Sequence, residues 1–218
     1  MNIKKILTDE FKTKIKKTVQ EAEKQSGGEI VTYITQKSDD YNYIYWAAGF
    51  LSAFLIIIIF IFLYNFYHFI TSNILYFSGI IFLLPLLIIG LLYSIKSLRL
   101  LLIDKDRLDY YVNLKAKEAF LEQEIFKTED RTGVLIYISI FEKRVVVLGD
   151  SGINKKVKKE KWDTVIKTII NGIKNNSLES GITNGILLCG KILKENNVKR
   201  KVRDKNELND NIHVGSGK

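Results

Sequence analysis

The chain has 218 residues, of which 47% are hydrophobic and 26% are charged, and its formal net charge is +9. One cysteine and two histidines exclude an internal disulfide and a zinc site of the Cys/His type. The basic excess consists mostly of lysine rather than arginine interleaved with aromatic residues, which argues against nucleic-acid binding and favours an anionic membrane surface.

The first segment reads as one helix followed by one strand. Thr8 can cap a helix over residues 8–26, whose narrow apolar stripe includes Phe11 and Ile15, and two glycines end it. The strand follows at residues 29–36, EIVTYITQ, which are rich in β-branched residues. Because one helix and one strand do not make a domain, this segment (residues 1–43) is expected to pair with strands elsewhere in the chain.

Residues 44–103 contain no acidic residue, and their two basic residues lie near the end of the block. Residues 44–67 and 74–95 are each long enough, at about 1.5 Å per residue, to cross a hydrocarbon core about 30 Å thick. We therefore predict two transmembrane helices, the second kinked at Pro85. Basic residues flank the pair and are absent from the connecting turn. This predicts an integral inner- or plasma-membrane protein with both termini and the α/β domain in the cytoplasm.

Residues 133–141 and 144–149 are predicted to form a β-hairpin that turns at Glu142 and Lys143. The first strand is apolar on both faces, so it needs cover above and below. Its missing partner is strand 29–36, because an even number of spans places both on one side of the membrane. Helical stripes before and after the hairpin supply the cover.

The predicted fold class is therefore α/β, a small mixed sheet sandwiched by helices and interrupted by an inserted transmembrane hairpin. Residues 104–197 complete the domain that residues 1–43 begin. Residues 198–218 are polar and without pattern, which predicts a disordered tail.

Three motifs together resemble the TPM domain family: SGGEI at residues 26–30, TEDRTGVLIYIS at residues 128–139, and VVVLGDSGI at residues 145–153. The resemblance covers residues 8–38 and 105–197. It implies an α/β/α sandwich. It also implies one of two activities, since a plant member is credited with acid phosphatase activity and other members act as assembly or auxiliary factors for membrane complexes.

Three acidic residues are expected at one edge of the sheet. The resemblance places an Asp where Asp130 stands, with Glu129 beside it, and the antiparallel hairpin returns Asp150 to the same end. Oxygen ligands suit Ca²⁺ or Mg²⁺, and a phosphatase built only of acids would need such a metal. Solvated turn carboxylates and a partner surface remain alternatives for this cluster.

A lysine cluster, NKKVKKEK, precedes the helix of Trp162. Either it is a solvated face or it binds an anionic leaflet through Lys155, Lys156, Lys158, Lys159 and Lys161. The function we predict is an interaction, assembly or auxiliary module for a membrane protein complex. Its partners are the lipid bilayer and another membrane protein or a second copy, without nucleic acid. A metal-dependent phosphatase is the alternative, and a lipid-headgroup sensor is the third hypothesis.

Overall fold

The computed structural model describes residue 3 and residues 7–66, 74–198 and 206–215. The chain divides into two compact units. Residues 1–39 and 108–218 make up the first, here called the α/β unit, and residues 40–107 make up the second, here called the apolar unit. The boundaries of the apolar unit lie close to those of the predicted apolar segment, 44–103.

The elements follow one another as α1 (Asp9–Lys24), β1 (Glu29–Thr35), α2 (Tyr43–Phe66), α3 (Ile74–Ser94), α4 (Lys96–Leu102), α5 (Lys105–Glu122), β2 (Gly133–Ser139), β3 (Arg144–Gly149), α6 (Ser151–Asn154), α7 (Trp162–Lys174), α8 (Leu178–Glu195) and β4 (His213–Gly215). Two short 3₁₀ turns lie at Ile125–Lys127 and Lys159–Lys161. The predicted elements of the α/β unit are thus present, with ends that shift by a few residues.

The sheet has four strands in the order β3-β2-β1-β4. β1 runs parallel to β2, with Glu29 opposite Gly133 and Thr35 opposite Ser139. β2 runs antiparallel to β3. The hairpin therefore finds its missing partner in the strand that precedes the apolar unit, as the sequence predicted. β2 is buried along its whole length, which explains why it is apolar on both faces.

Helices cover both faces of the sheet. Helices α1, α7 and α8 pack on one face, where Ile15, Ile169 and Ile186 join Ile34 and Ile136 in the larger core. Helix α5 covers the other face, and its buried residues are Leu108, Val112, Ala116 and Ala119. The predicted α/β/α arrangement of a mixed sheet is confirmed, with three long helices on one side and one on the other.

The ends and contacts of these helices follow from their sequence. The Thr8 side chain accepts a hydrogen bond from the backbone N–H of Phe11 at 3.2 Å and caps α1. Helices α7 and α8 approach closely where Gly172 meets Gly181, since a Cβ on Gly181 would lie 2.8 Å from the Gly172 Cα. Glycine at both positions permits this close packing.

The prediction of a disordered tail over residues 198–218 is wrong for residues 213–215, which form strand β4. β4 runs parallel to β1 and pairs His213 with Tyr33 and Gly215 with Thr35. Backbone hydrogen bonds require no apolar pattern, so a three-residue polar edge strand gives little signal in a sequence. The prediction is also wrong for Asp210 and Ile212, which are buried, whereas residues 199–205 and 216–218 lie outside the described residues.

In the apolar unit, α2 contains a stretch, Tyr43–Leu63, that is long and apolar enough to cross a membrane. Its mean hydropathy is 2.7 and only 6% of it is buried. Helix α3 passes the same test together with α4, from which it is bent by 104°. Length and composition thus allow one span, or two if the bent pair is a single span. The predicted turn at residues 68–73 lies outside the described residues.

The bend in the second apolar helix does not occur where the sequence predicted it. Helix α3 continues through Pro85 to Ser94, and the break comes at Ile95. The N–H of Ile95 still bonds to the carbonyl of Leu91, but its backbone is extended, with φ −106° and ψ 96°. Ser94 and Lys96 flank the break, which coincides with the end of the second predicted span at residue 95.

Candidate interaction surfaces

The acidic residues predicted to converge do lie at one end of the sheet. Pairing of Val134 with Gly149 brings the turn before β2 next to the residue after β3. The two segments also touch, because the N–H of Gly152 donates to the Arg131 carbonyl at 3.0 Å. Glu129 and Asp130 are exposed, whereas Asp150 is buried. The three side chains therefore share an edge but not an environment.

The carboxylate of Asp150 has a defined structural role. Its Oδ1 accepts a hydrogen bond from the Ser151 N–H at 2.6 Å, at the start of the four-residue helix α6. Its Oδ2 is buried without a hydrogen-bond partner and lies 3.6 Å from Nη1 of Arg131. Arg131 has a positive φ of 56°. This geometry binds one carboxylate to the local backbone and to one arginine.

A metal ion would require several such ligands together. Across residues 7–66, 74–198 and 206–215, no three acidic, histidine or cysteine side chains are placed to hold one ion. The residues at this edge thus do not fit the Ca²⁺ or Mg²⁺ ion that a phosphatase of this kind would use. The site at Glu129, Asp130 and Asp150 stays a prediction without geometric support.

The lysine cluster forms an ordered, exposed surface, called here the lysine loop, residues 155–161. Its five lysines are all exposed. Three apolar side chains hold the loop in place, since Ile153 and Val157 on one side and Trp162 on the other are buried. The sequence therefore predicted the accessibility of these lysines correctly. Their predicted binding to a membrane surface stays a prediction.

A buried polar cluster lies at the other end of the sheet, where β1 and β2 end. The Glu142 carboxylate accepts a hydrogen bond from the Ser38 N–H at 2.7 Å and another from the Ser139 hydroxyl. The Ser38 hydroxyl is 3.0 Å from the Ser139 hydroxyl and 3.1 Å from the Tyr137 hydroxyl. All four residues are at most 2% exposed. Burial raises the pKa of Tyr137 well above its ordinary range.

Sequence reasoning missed this cluster, because Glu142 sits in a predicted polar turn and reads as solvated. The turn exists, and Lys143 in it is exposed with a positive φ of 53°. Glu142, however, points inward. The available signal was an acidic residue next to a strand that is apolar on both faces. Such residues are common in exposed turns, so this signal did not predict that Glu142 is buried.

The covering helix α5 has a second apolar edge that also escaped prediction. Tyr110, Leu114 and Leu121 are exposed, with Leu121 63% exposed. Next to them, between α5 and β3, is an open cavity of about 350 Å³ lined by Lys117, Phe120, Leu121, Leu148 and Gly149. This edge of α5 and its cavity are called here the α5 edge. It is an uncovered apolar surface in the α/β unit, of the kind that protein partners bind.

Residues 98–192 match the family model of the TPM domain. This chain carries a TPM domain. A solved structure, the NMR structure of the BA42 protein from the psychrophilic bacterium Bizionia argentinensis, has the same fold, with a TM-score of 0.60. It is 22% identical to this TPM protein, and the alignment covers 98% of this chain and 99% of that chain. No curated protein matches the sequence.

The matched region includes β2, β3, α7 and most of α8, but not β1. In this TPM protein β1 pairs with β2 from Glu29 to Thr35. The compact unit that contains most of the matched region therefore draws its second parallel strand from residues that precede the apolar unit. The lysine loop and the α5 edge belong to that same compact unit. So do Glu129, Asp130 and Asp150, called here the acidic edge.

Proposed function

We propose that this protein is a membrane-anchored TPM domain that serves as an interaction module for another membrane protein. The anchor is the apolar unit and the module is the α/β unit. The observation that carries the interaction role is the α5 edge, because it leaves Tyr110, Leu114 and Leu121 exposed beside an open apolar cavity.

Helix α2 supports the anchor. Its apolar stretch has a mean hydropathy of 2.7 and is only 6% buried, so it needs a covering that residues 7–66, 74–198 and 206–215 do not supply. At about 1.5 Å per residue α2 is long enough for a hydrocarbon core of about 30 Å. A bilayer provides such a covering, whereas exposure of this much apolar surface to water is strongly unfavourable.

Packing within the apolar unit is consistent with a helix pair in lipid. Gly49 and Ala53 lie four residues apart on α2, and a Cβ on Gly49 would come within 2.9 Å of Ile89 on α3. Small residues at this spacing allow membrane helices to approach closely. The basic flanks of residues 44–103 then orient the pair with both termini in the cytoplasm.

The partner is another membrane protein because anchoring confines the α5 edge to the surface of a bilayer. Two proteins held in one membrane meet at a raised effective concentration, so a small apolar docking surface is enough for a specific complex. Leu121 is the most exposed apolar residue of the α5 edge at 63%, and we expect it to lie in the centre of the contact.

Alkaline carbonate extraction of native membranes tests the anchor. The wild-type chain is expected to stay in the pellet and to be released by detergent. Replacing Phe54 and Ile58 with Arg places two charges in the middle of α2, and this variant is expected to be lost from the membrane fraction. Release of the wild-type chain by carbonate would contradict the anchor.

Photocrosslinking in native membranes tests the module. A photoreactive amino acid replaces Leu121, and a matched control replaces Lys191, whose side chain on α8 is 68% exposed. We expect a reproducible adduct of one size from position 121 and none from position 191. An adduct of twice the chain mass would identify a second copy as the occupant. Absence of a specific adduct at position 121 would overturn the proposed role of the α5 edge.

A further inference from the structure

We propose that the lysine loop docks the α/β unit onto an anionic lipid leaflet. This inference rests on the proposed membrane anchor only in that the anchor keeps the loop near a bilayer. It adds an electrostatic contact with the bilayer to the apolar contact that α2 makes. The ligand class is the anionic headgroup of a phospholipid.

The loop is built to present charge. Backbone hydrogen bonds hold it, including Val157 N–H to the Ile153 carbonyl at 2.8 Å and Lys161 N–H to the Lys158 carbonyl at 3.0 Å. Ile153, Val157 and Trp162 are at most 3% exposed, so the backbone between them is fixed to the core. A fixed backbone reduces the conformational entropy lost when the lysines bind a surface.

The charge of the loop is not compensated locally. Five lysines stand against one acid, Glu160, within seven residues, and none of the five forms an ion pair with any residue that the structure describes. Some lysines elsewhere are paired: Lys12 lies 3.3 Å from Asp9, and Lys14 is bound to Glu179. The lysine loop differs from the rest of the lysine surface in its density, with five lysines in seven residues.

The position of the loop makes this arrangement unfavourable in the absence of a ligand. Lys161 stands at the N-cap of α7 without a side-chain cap hydrogen bond, and the positive end of the helix dipole repels lysines there. An anionic surface would offset both the repulsion among the lysines and the repulsion between the lysines and the positive end of the helix dipole. Each lysine near an anionic leaflet strengthens binding about fivefold.

A lipid surface fits this loop better than a nucleic acid does. The loop has no arginine, and its neighbouring aromatic residue, Trp162, is only 3% exposed and cannot stack on a base. Lysines act as point charges on flexible stems, which suits mobile headgroups. No concave site is required for such a contact, because the leaflet is itself a flat field of charge.

The experiment uses the full chain in lipid nanodiscs, with a fluorophore on a Ser151→Cys variant. Ser151 is exposed, and its carbonyl accepts the N–H of Lys155, so the probe sits one turn from the loop. Cys189 is fully buried and stays unlabelled. A nitroxide on the lipid headgroup quenches the probe when the loop docks. We expect at least twofold more quenching in discs with anionic phosphatidylserine than in neutral phosphatidylcholine, and loss of that excess in 1 M NaCl.

Two variants separate the loop from net charge. Changing the five loop lysines to Gln should remove the excess quenching. Changing five other exposed lysines to Gln lowers the net charge equally and should leave it intact; these are Lys16, Lys17, Lys167, Lys174 and Lys194. Equal quenching in both lipids, or equal loss in both variants, would overturn the docking.

The same experiment distinguishes failure of the proposed anchor from failure of the proposed docking. If the chain does not co-elute with discs, the proposed anchor is wrong, and the labelled chain is then mixed with vesicles of the same two compositions. Excess quenching by the anionic vesicles would support docking by the loop alone. Equal quenching by both would overturn it.

Discussion

The carboxylate of Glu142 accepts a hydrogen bond from the backbone N–H of Ser38, 104 residues away in the sequence, at 2.7 Å. This contact ties the segment that follows β1 to the turn between β2 and β3. The apolar unit begins at Asp40, two residues after Ser38. Glu142 therefore fixes the point at which the chain leaves the α/β unit.

Replacing Glu142 with Gln should loosen this exit point. The amide keeps one acceptor oxygen but presents an NH₂ group where the carboxylate accepted a second hydrogen bond. A hydrogen bond to a charged group contributes about 1.5–3 kcal/mol. If local opening governs exchange, the Ser38 amide should exchange about tenfold to hundredfold faster, as measured by hydrogen exchange and mass spectrometry of peptides around residue 38.

The control for this variant is Glu195→Gln, which changes the same group on a side chain that is 57% exposed. Exchange near residue 38 should be unchanged there. If Glu142→Gln also leaves it unchanged, the buried cluster does not hold the exit point, and the hydrogen bond is incidental to stability.

The pH dependence of stability should reveal Tyr137. Burial raises the pKa of this phenol in the folded chain, whereas in the unfolded chain it is about 10. The folded state therefore retains a proton that the unfolded state loses, and stability falls as pH rises above about 10. Thermal midpoints should be measured from about pH 9 to about pH 11.5, a range that includes the ordinary pKa of a tyrosine. Over this range the midpoint should fall more steeply with pH for wild type than for Tyr137→Phe.

Tyr137→Phe has its own cost at neutral pH, about 1 kcal/mol, because the Ser38 hydroxyl loses a partner. The ring stack on Tyr33, at 5.5 Å between centroids, should persist. Equal slopes above pH 10 in both proteins would show that this phenol is not protected in the folded chain.

Most of the fold that the sequence predicted was visible as a local periodic pattern of apolar residues. Stripes such as Trp162, Val165 and Ile169 mark helices because burial repeats with the helical period, and the doubly apolar β2 marks a central strand. The pairing of β1 with β2 was inferred from the predicted membrane topology. Each of these features depends on apolar area, which a sequence displays directly.

The features that escaped prediction depend on specific long-range contacts. β4 is held by backbone pairing, and Glu142 is buried because Ser38 and Ser139 meet it there. The exposed position of Leu121 depends on how far α5 extends over β3, which its sequence does not show. Of the candidate site, exposure of the lysines was predictable, whereas the burial of Asp150 apart from Glu129 and Asp130 was not.

Gly152→Ala should destabilise the acidic edge. A Cβ at this position would lie 2.3 Å from the Asp130 carbonyl oxygen and 2.7 Å from that of Arg131, and backbone atoms cannot easily move away. Overpacking of this kind costs about 1–3 kcal/mol, which lowers the thermal midpoint by roughly 2–12 °C for a chain of this size. Gly90→Ala is the control, since nothing lies within 4 Å of its Cβ. A midpoint as high as that of Gly90→Ala would refute the close contact.

Asp210→Ala should release β4 from the sheet edge. Asp210 is 6% exposed, and its two oxygens accept hydrogen bonds from Gln20 at 2.8 Å and Asn206 at 2.6 Å. Losing both removes the side-chain hydrogen bonds of Asp210 that anchor the segment before β4, and each lost bond costs about 1 kcal/mol. Amide exchange over residues 213–215 should rise about tenfold or more. Asn211→Ala, on an exposed neighbour, should not change it.

Cys189 should resist thiol reagents as long as the chain stays folded. The thiol is fully buried between helices and sheet, and burial raises its pKa, so both access and thiolate formation are suppressed. At pH 8 we expect maleimide to label it at least about a thousandfold more slowly than the exposed thiol of Ser151→Cys, because labelling requires opening of the core. In denaturant the two rates should converge. Rapid labelling of the wild-type chain would show that α8 is not packed against the sheet as described.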